Sequence, residues 1–368
     1  MFAHGFCHSQ IEYFSLRLRF QPVGLTGRRV NPTARRGRLS HLNRKDRAKP
    51  PARGGSSAYA SESDIHKSSI FNLQSSIPAC VLFLALSMYL ITPAAAGTFV
   101  DQLDRRIAVP DDPQRVISLA PSITEIIYAL EQENRLKGVT RYSDFPIEAT
   151  KLPKIGSYVR LDLERIVALN PDLCIAIKDG NPKEVIDRLQ SLKIPVYVVD
   201  PRNLNTVLET IKEIGQILNA ANKAENLLTT LQNRIQRAKS LISPGTYRPG
   251  VFFQIGISPI VSVGTDTFLH ELIELAGGKN LANGSTSYPR FSREQVLALA
   301  PEIFIVTSMA RQAVFEQVKA ERRRWPTMPA VRNERIYIDD SNLIDRPSPR
   351  LVDGLELLIK LIHPELLN

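Results

Sequence analysis

Reactive residues are scarce in this chain. Of its three cysteines and six histidines, only Cys174, His270 and His363 lie beyond residue 97. One cysteine leaves no partner for an intrachain disulfide. Two histidines cannot comfortably assemble the converging ligands of a zinc or manganese site, nor the base of a nucleophile–base pair. Cys174 stands inside the apolar run Leu173 to Ile177, the setting of a buried, inert thiol. His270 falls in a helical pattern that turns it inward. A charge excess is also missing from most of the length. The formal charge is +10, but residues 1–97 hold 13 Lys/Arg against 4 Asp/Glu, which leaves 34 against 33 for residues 98–368. The basic balance belongs to the leader, and the folded part offers none for nucleic acid.

No apolar run is long enough to cross a bilayer comfortably. The run Ile77 to Ile91 has 15 residues and leads into Thr92-Pro93-Ala94-Ala95-Ala96-Gly97. An apolar stretch of that length ending in an Ala-x-Ala site predicts a secretory signal peptide over 67–96, cleaved after Ala96. The uncleaved alternative is a membrane anchor. Cys80 lies at the front of the run, which speaks against a lipid-modified N-terminal cysteine. Residues 1–66 form a basic extension with no period, to which no structure is assigned. Its position ahead of a signal sequence suggests a true start near Lys67 and an extension that is seldom translated.

The mature part is organised around a helical pair. Val207, Leu208, Ile211, Ile214, Ile217 and Leu218, then Ala224, Leu227, Leu228, Leu231, Ile235, Ala238 and Leu241, recur at three- and four-residue steps. The spacing predicts a helix ending near Leu218, with Thr206 to Glu209 as a capping box, and a second over 221–242 that contains neither proline nor glycine. A helix of about 22 residues spans roughly 33 Å, enough to bridge two lobes. On either side of it stands the same phrase. Glu164-Arg165-Ile166-Val167-Ala168-Leu169-Asn170-Pro171-Asp172 and Glu294-Gln295-Val296-Leu297-Ala298-Leu299-Ala300-Pro301-Glu302 both precede an apolar strand, which marks an internal duplication. Strands alternate with helices in each copy, so the fold class is α/β: two Rossmann-like lobes with parallel sheets, over 97–202 and 247–368, joined by rigid bridging helices over 203–246. Within the first lobe Ser122 reads as an N-cap answered by Glu125, and Asp179 to Pro182 as a turn.

Ligands of such sheets bind beyond the carboxyl ends of the strands. The loops there offer Tyr142, Tyr158, Tyr288, an aromatic from Phe252 or Phe253, and Arg346. Tyr158 and Tyr288 occupy matching loops, six residues before Glu164 and Glu294 respectively. Phenol faces suit a large, partly apolar ligand, and a guanidinium suits an acidic or amide edge. The plainer alternative is that some of these tyrosines only cap the lobe cores. Glu164 and Glu294 each begin a helix, where a carboxylate is favoured by the helix dipole. They are either simple helix stabilisers or two matched docking points for a basic partner with two-fold symmetry of its own.

Residues 113–366 resemble the periplasmic substrate-binding proteins of ABC importers for cobalamin, haem and ferric siderophores, most closely the cobalamin-binding type. The resemblance is carried by Ile117-Ser118-Leu119-Ala120-Pro121-Ser122-x-Thr124-Glu125, Tyr142-Ser143-Asp144-Phe145-Pro146, Asp162-Leu163-Glu164-Arg165-Ile166, Ser292-Arg293-Glu294-Gln295-Val296-Leu297 and Arg346-x-Ser348-Pro349-Arg350. It implies a bilobal fold with a stiff helical backbone. It also implies a cargo site at Tyr142, Tyr158, Tyr288, Arg346 and Phe252, with Asn342 in place of an acid, and Glu164 and Glu294 docking on arginines of the permease. Where that type is expected to carry tryptophan, this chain has Tyr158, Ile177 and Tyr288.

The expectations are then a monomeric periplasmic protein, not an enzyme, with no resident cofactor and no metal. Its cargo is cobalamin or a related corrinoid, and its partner an inner-membrane permease and ATPase complex. Haem or a ferric siderophore is the alternative cargo. Paired α/β lobes also occur in tetrapyrrole metal chelatases, which would require a His/Glu metal site in the cleft.

Overall fold

The computed structural model describes residues 96–308, 320–321 and 325–367. The readings of the basic extension and of the signal sequence fall outside the described residues, which begin at Ala96. The described chain enters through an antiparallel pair, β1 (Ala96–Val100) and β2 (Arg106–Pro110).

The first sheet is built from short runs that are apolar on both faces, as parallel strands covered on both sides must be. β3 (Val116–Ser118), β4 (Leu136–Gly138), β7 (Leu173–Ile177) and β8 (Val196–Val199) line up in the order β4-β3-β7-β8, all parallel. Alternation divides their side chains between two cores. Val116, Leu173, Ile175, Tyr197 and Val199 join the core shared with α1 (Pro121–Ala129) and the bridging helices. Ile117, Cys174, Ala176, Val196 and Val198 join a second core beneath α2 (Leu163–Ala168) and α3 (Lys183–Ser191).

The second lobe repeats the arrangement. β9 (Gly250–Gly256), β11 (Lys279–Asn280), β13 (Ile303–Ser308) and β14 (Ile336–Asp340) run parallel, with β11 and β13 on β9 and β14 beyond β13. The position of β11 on β9 is that of β4 on β3. The sheet is not purely parallel, however: β10 (Ile260–Ser262) turns back antiparallel on β9, and β12 (Arg290–Phe291) adds antiparallel to β10. The strand pattern implied a parallel sheet for both lobes. The hairpin of β9 and β10 comes from an insertion between β9 and the following helix α6 (Phe268–Leu275), where the first lobe passes straight from β3 into α1, and β12 joins it from the loop after β11.

Two helices join the lobes. α4 (Leu204–Ile217) and α5 (Ala221–Leu241) are separated by Asn219, whose φ of 55° reverses the chain and whose side chain donates to the Asp111 carbonyl at 2.7 Å. The capping box of α4 lies three residues earlier than Thr206 to Glu209. Asn203 accepts from Thr206 N at 2.9 Å, and the Thr206 hydroxyl accepts from Asn203 N at 3.0 Å, because the helix starts at Leu204 to bury that side chain. A Cβ on Gly215 would fall 2.5 Å from the Ala224 Cβ, so glycine there allows α4 and α5 to close together. The 21 residues of α5 extend about 32 Å. Its seam of Ala224, Leu228, Leu231, Ile235 and Ala238 faces the same core as α10 (Leu351–Ile362) of the second lobe. Arg234 on α5 bonds Asp353 at 2.5 Å and Glu356 at 2.7 Å on that helix. A single core thus runs from the first sheet through the bridge to the second.

The front of the bridge is also tied to the second lobe. Leu204 N, the first amide of α4, donates to Glu271 Oε2 at 2.7 Å, and Arg202 pairs with Asp266 at 2.8 Å. A carboxylate at a helix N-terminus satisfies an otherwise orphan donor and is favoured by the dipole.

Candidate functional site

The site begins where β3 ends. α1 starts at Pro121 with Ala120 as its N-cap and no side-chain cap, since proline at the first position needs no donor. Ser122 is therefore not the cap, and Glu125 does not answer it. Instead a chain of buried hydroxyls fixes the neighbouring loop. Ser118 Oγ lies 2.8 Å from Thr124 Oγ1, which lies 2.9 Å from Ser143 Oγ, itself 3.0 Å from Thr140 Oγ1. This anchors the segment carrying Tyr142, Asp144 and Phe145.

Tyr158 is placed by a second device. The pair β5 (Gly156–Ser157) and β6 (Arg160–Leu161) turns at Tyr158 and Val159, and its strands close tightly at Gly156, whose φ is 97° and whose Cβ would meet the Arg160 carbonyl at 2.3 Å. Asn181 then binds three backbone groups. Its Nδ2 donates to the Leu119 and Tyr158 carbonyls, both at 2.8 Å, and its Oδ1 accepts from Ile177 N at 2.8 Å. The stretch Asp179 to Pro182, legible only as a turn, thus contains a buried strut between the ends of β3 and β7 and the tyrosine loop. The Tyr142 and Tyr158 rings meet edge to face, 6.3 Å between centroids at 69°.

Arg346 crosses from the second lobe to this assembly. Beyond α8 (Pro329–Arg332) and β14 comes the short helix α9 (Ser341–Ile344), and Asp345 is held by the Thr307 hydroxyl at 3.0 Å. Arg346 Nη1 donates to Glu125 Oε1 at 2.9 Å and Asp144 Oδ1 at 2.7 Å, and Nη2 to the Tyr142 carbonyl at 3.0 Å. Ser348 Oγ donates to Glu125 Oε2 at 2.6 Å, and Arg350 lies 3.6 Å from the same carboxylate with its guanidinium 3.9 Å above the Phe145 ring. The two acids differ in exposure: the Glu125 side chain is 2% accessible and that of Asp144 46%. Burial raises the Glu125 carboxyl above its ordinary value, even against the Ser348 hydroxyl and the two guanidiniums, which pull it down.

Other expected site residues fare differently. Tyr288 is half-buried two residues before β12, as Tyr158 is two residues before β6, so the duplicated loops correspond in the structure. Phe252 does not line a cleft. It is fully buried, edge to face with Phe291 at 5.2 Å and beside Phe304 at 5.3 Å, because alternation along β9 turns it into the outer core of the second lobe. Phe253, on the opposite face, is equally buried in the shared core. Asn342 lies in α9, and its side chain falls outside what is described.

Glu164 and Glu294 take the same station on two matched helices, the second residue of α2 and of α7 (Arg293–Leu299), and both are exposed. The caps match as well: Asp162 accepts from Arg165 N at 3.1 Å, and Ser292 from Gln295 N at 3.2 Å. The Glu294 backbone N–H and the Ser292 hydroxyl hold the Glu294 carboxyl below its ordinary value. Cys174 is fully buried, and burial pushes its thiol well above the usual range. His270 is half-buried against Asn280, 3.1 Å from its Nδ2. Among the described residues no cluster of three His, Cys, Asp or Glu could hold a metal ion. Among them, too, no helix is long and apolar enough to cross a membrane.

Sequence reasoning passed over Glu125, Asp144 and Asn181 as members of one assembly. A signal did exist for Glu125. It stands among Ile123, Ile126 and Ile127, and a carboxylate buried in such company requires a cation.

Known proteins share this architecture. The chain is 32% identical over 245 residues to a vitamin B12-binding protein of Vibrio parahaemolyticus serotype O3:K6, covering 66% of this chain and 86% of the relative. A Bacillus subtilis relative named as an uncharacterized ABC transporter substrate-binding lipoprotein, YvrC, is 29% identical over 275 residues, which are 73% of this chain and 86% of that one. The periplasmic vitamin B12 binding protein BtuF of Vibrio cholerae superposes with a TM-score of 0.62 at 25% identity, covering 69% of this chain and 98% of that chain. A periplasmic heme binding protein from Pseudomonas aeruginosa does so at 0.64 and 26%, covering 68% and 93%. Residues 116–343 match the family described as periplasmic binding protein. With two α/β lobes on a helical bridge and a polar crossing between them, this chain belongs to the periplasmic binding protein family, a family of substrate-binding transport proteins and not of enzymes.

Proposed function

We propose that this protein is the solute-binding component of an ABC importer that captures cobalamin or a related corrinoid between its lobes and delivers it to an inner-membrane permease and ATPase complex. The observation that carries the reading is the crossing itself. Arg346 of the second lobe reaches the backbone of Tyr142, whose ring packs against Tyr158, so a guanidinium and two phenol rings are gathered at one place between the lobes. A corrinoid presents a broad, partly apolar face rimmed by amide groups. Tyrosine faces suit the first and a guanidinium the second. The names of the Vibrio relatives favour the same cargo.

Haem is the second reading, favoured by the fold match to the Pseudomonas aeruginosa protein at a TM-score of 0.64, against 0.62 for BtuF. Visible spectra separate the two. Protein purified from cells fed with each compound, or titrated with cyanocobalamin and with haemin, is expected to carry a corrin spectrum and to saturate with cyanocobalamin. A Soret band in its place would assign the cargo to haem, a siderophore charge-transfer band to a ferric chelate, and binding of none of them would defeat the proposal.

A further inference from the structure

The polar crossing contains two acids that are not equivalent. Both bind the same nitrogen of Arg346, at 2.9 Å for Glu125 and 2.7 Å for Asp144, so the two hydrogens of Nη1 are divided between them. Glu125 has 2% of its side chain accessible and a second oxygen occupied by Ser348 at 2.6 Å, with Arg350 alongside. Asp144 is 46% accessible on a loop and bonds Arg346 from the solvent side. A buried carboxylate cannot leave a guanidinium without stranding two charges in a low dielectric, whereas a half-exposed one exchanges its partner for water at small cost.

We propose that Glu125 is a positioning residue that permanently holds Arg346 across the lobes, and that Asp144 is an exchangeable occupant of the same guanidinium, displaced when cargo presents a hydrogen-bond acceptor to it. The inference rests on the cargo-binding reading above and sharpens it. Until cargo arrives, Asp144 takes the hydrogen of Arg346 Nη1 that Glu125 does not use. Cargo must then supply an acceptor able to compete with a carboxylate, such as the carbonyl of a side-chain amide or an acidic oxygen. The distinction also assigns opposite signs to two substitutions that look alike. D144N leaves a weaker competitor on Arg346, so binding tightens. E125Q frees Arg346 from its anchor, so binding weakens.

The experiment uses the whole protein and cyanocobalamin followed by absorbance, together with urea unfolding of the two variants, of R346Q and of the corresponding double variants. D144N is expected to lower the cyanocobalamin dissociation constant about three- to tenfold and E125Q to raise it about tenfold or more, since each tenfold step corresponds to loss or gain of one charge-assisted hydrogen bond. In unfolding, the Glu125–Arg346 coupling is expected to change the equilibrium constant about a hundredfold, and the Asp144–Arg346 coupling about fivefold or less. An unchanged or weakened affinity in D144N would overturn the exchange. Equal couplings would overturn the division of roles, and they are measured without any cargo. If the native protein binds neither cyanocobalamin nor haemin, the cargo reading fails alone, and the couplings still decide the arrangement.

Discussion

The two lobes share a plan but contribute unlike halves to their common boundary. Each has four parallel strands in the same order, a helix opening beyond the first central strand, and an acid about one turn into that helix: Glu125 in α1 and Glu271 in α6. Each acid reaches out of its own lobe. Glu125 meets a guanidinium of the second lobe in a dry setting, and Glu271 meets the first amide of the bridge in a half-buried one. Duplication therefore explains the scaffold, while what holds the lobes together has diverged in chemistry from one copy to the other. At the crossing the second lobe supplies the cations and the first the acceptors and the paired tyrosines, whereas at the front of the bridge Arg202 and Leu204 N are the donors and Asp266 and Glu271 of the second lobe the acceptors.

The strongest way to break that asymmetry is to remove its cation. Arg346→Met leaves Glu125 buried without its nearest guanidinium, and the stability measured in urea is expected to fall by about 3–5 kcal/mol at neutral pH. The pH dependence follows from burial, which already raises the Glu125 carboxyl. A group raised in the folded state stabilises most when protonated. Its contribution is full below the unfolded carboxyl value of about 4.3 and is lost as pH rises through the folded value. Without Arg346 that folded value rises further. The deficit of the variant is thus expected to be smaller at pH 5 than at pH 8, and a deficit independent of pH would mean that Glu125 does not stay buried.

The matching change on the other side costs less. Glu271→Ala removes a carboxylate from Leu204 N, leaving water to satisfy that amide, and is expected to lower stability by about 1 kcal/mol in the same unfolding assay. A loss as large as that of Arg346→Met would erase the distinction between a buried crossing and a capped bridge end.

The parts of the molecule that the sequence made readable are those fixed by neighbours along the chain. Period-2 and period-3.6 patterns, and the phrase repeated at Glu164 and Glu294, located strands, helices and the duplication. Facing was harder. Val251, Phe252 and Phe253 are apolar on both sides of β9, so no alternation told which phenylalanine lay on which core, and neither reaches a cleft. Cap positions were misread where a proline replaced a donor at Pro121, and where the first buried leucine, Leu204, set the start of α4 ahead of Thr206. The crossing was beyond local reading altogether, because Arg346 and Glu125 are separated by 221 residues and only the packed sheets bring them together.

The smallest effect on stability, and the sharpest on symmetry, is expected at the two exposed acids. Glu164 and Glu294 stand exposed at the second position of matched helices, so Glu164→Ala and Glu294→Ala should each lower stability only slightly, through the lost interaction with the helix dipole. Neither touches the crossing or the tyrosine pair, so cargo affinity of the double variant should match that of the native protein. If these acids dock on a basic, two-fold symmetric permease, uptake by cells carrying the double variant should fall well below native. The two single variants should lose about equally, since each removes one of two equivalent contacts. Native uptake in the double variant would leave the acids as helix stabilisers only. A loss confined to one single variant would show that the partner reads the lobes as different, extending to the outer surface the divergence already present at their boundary.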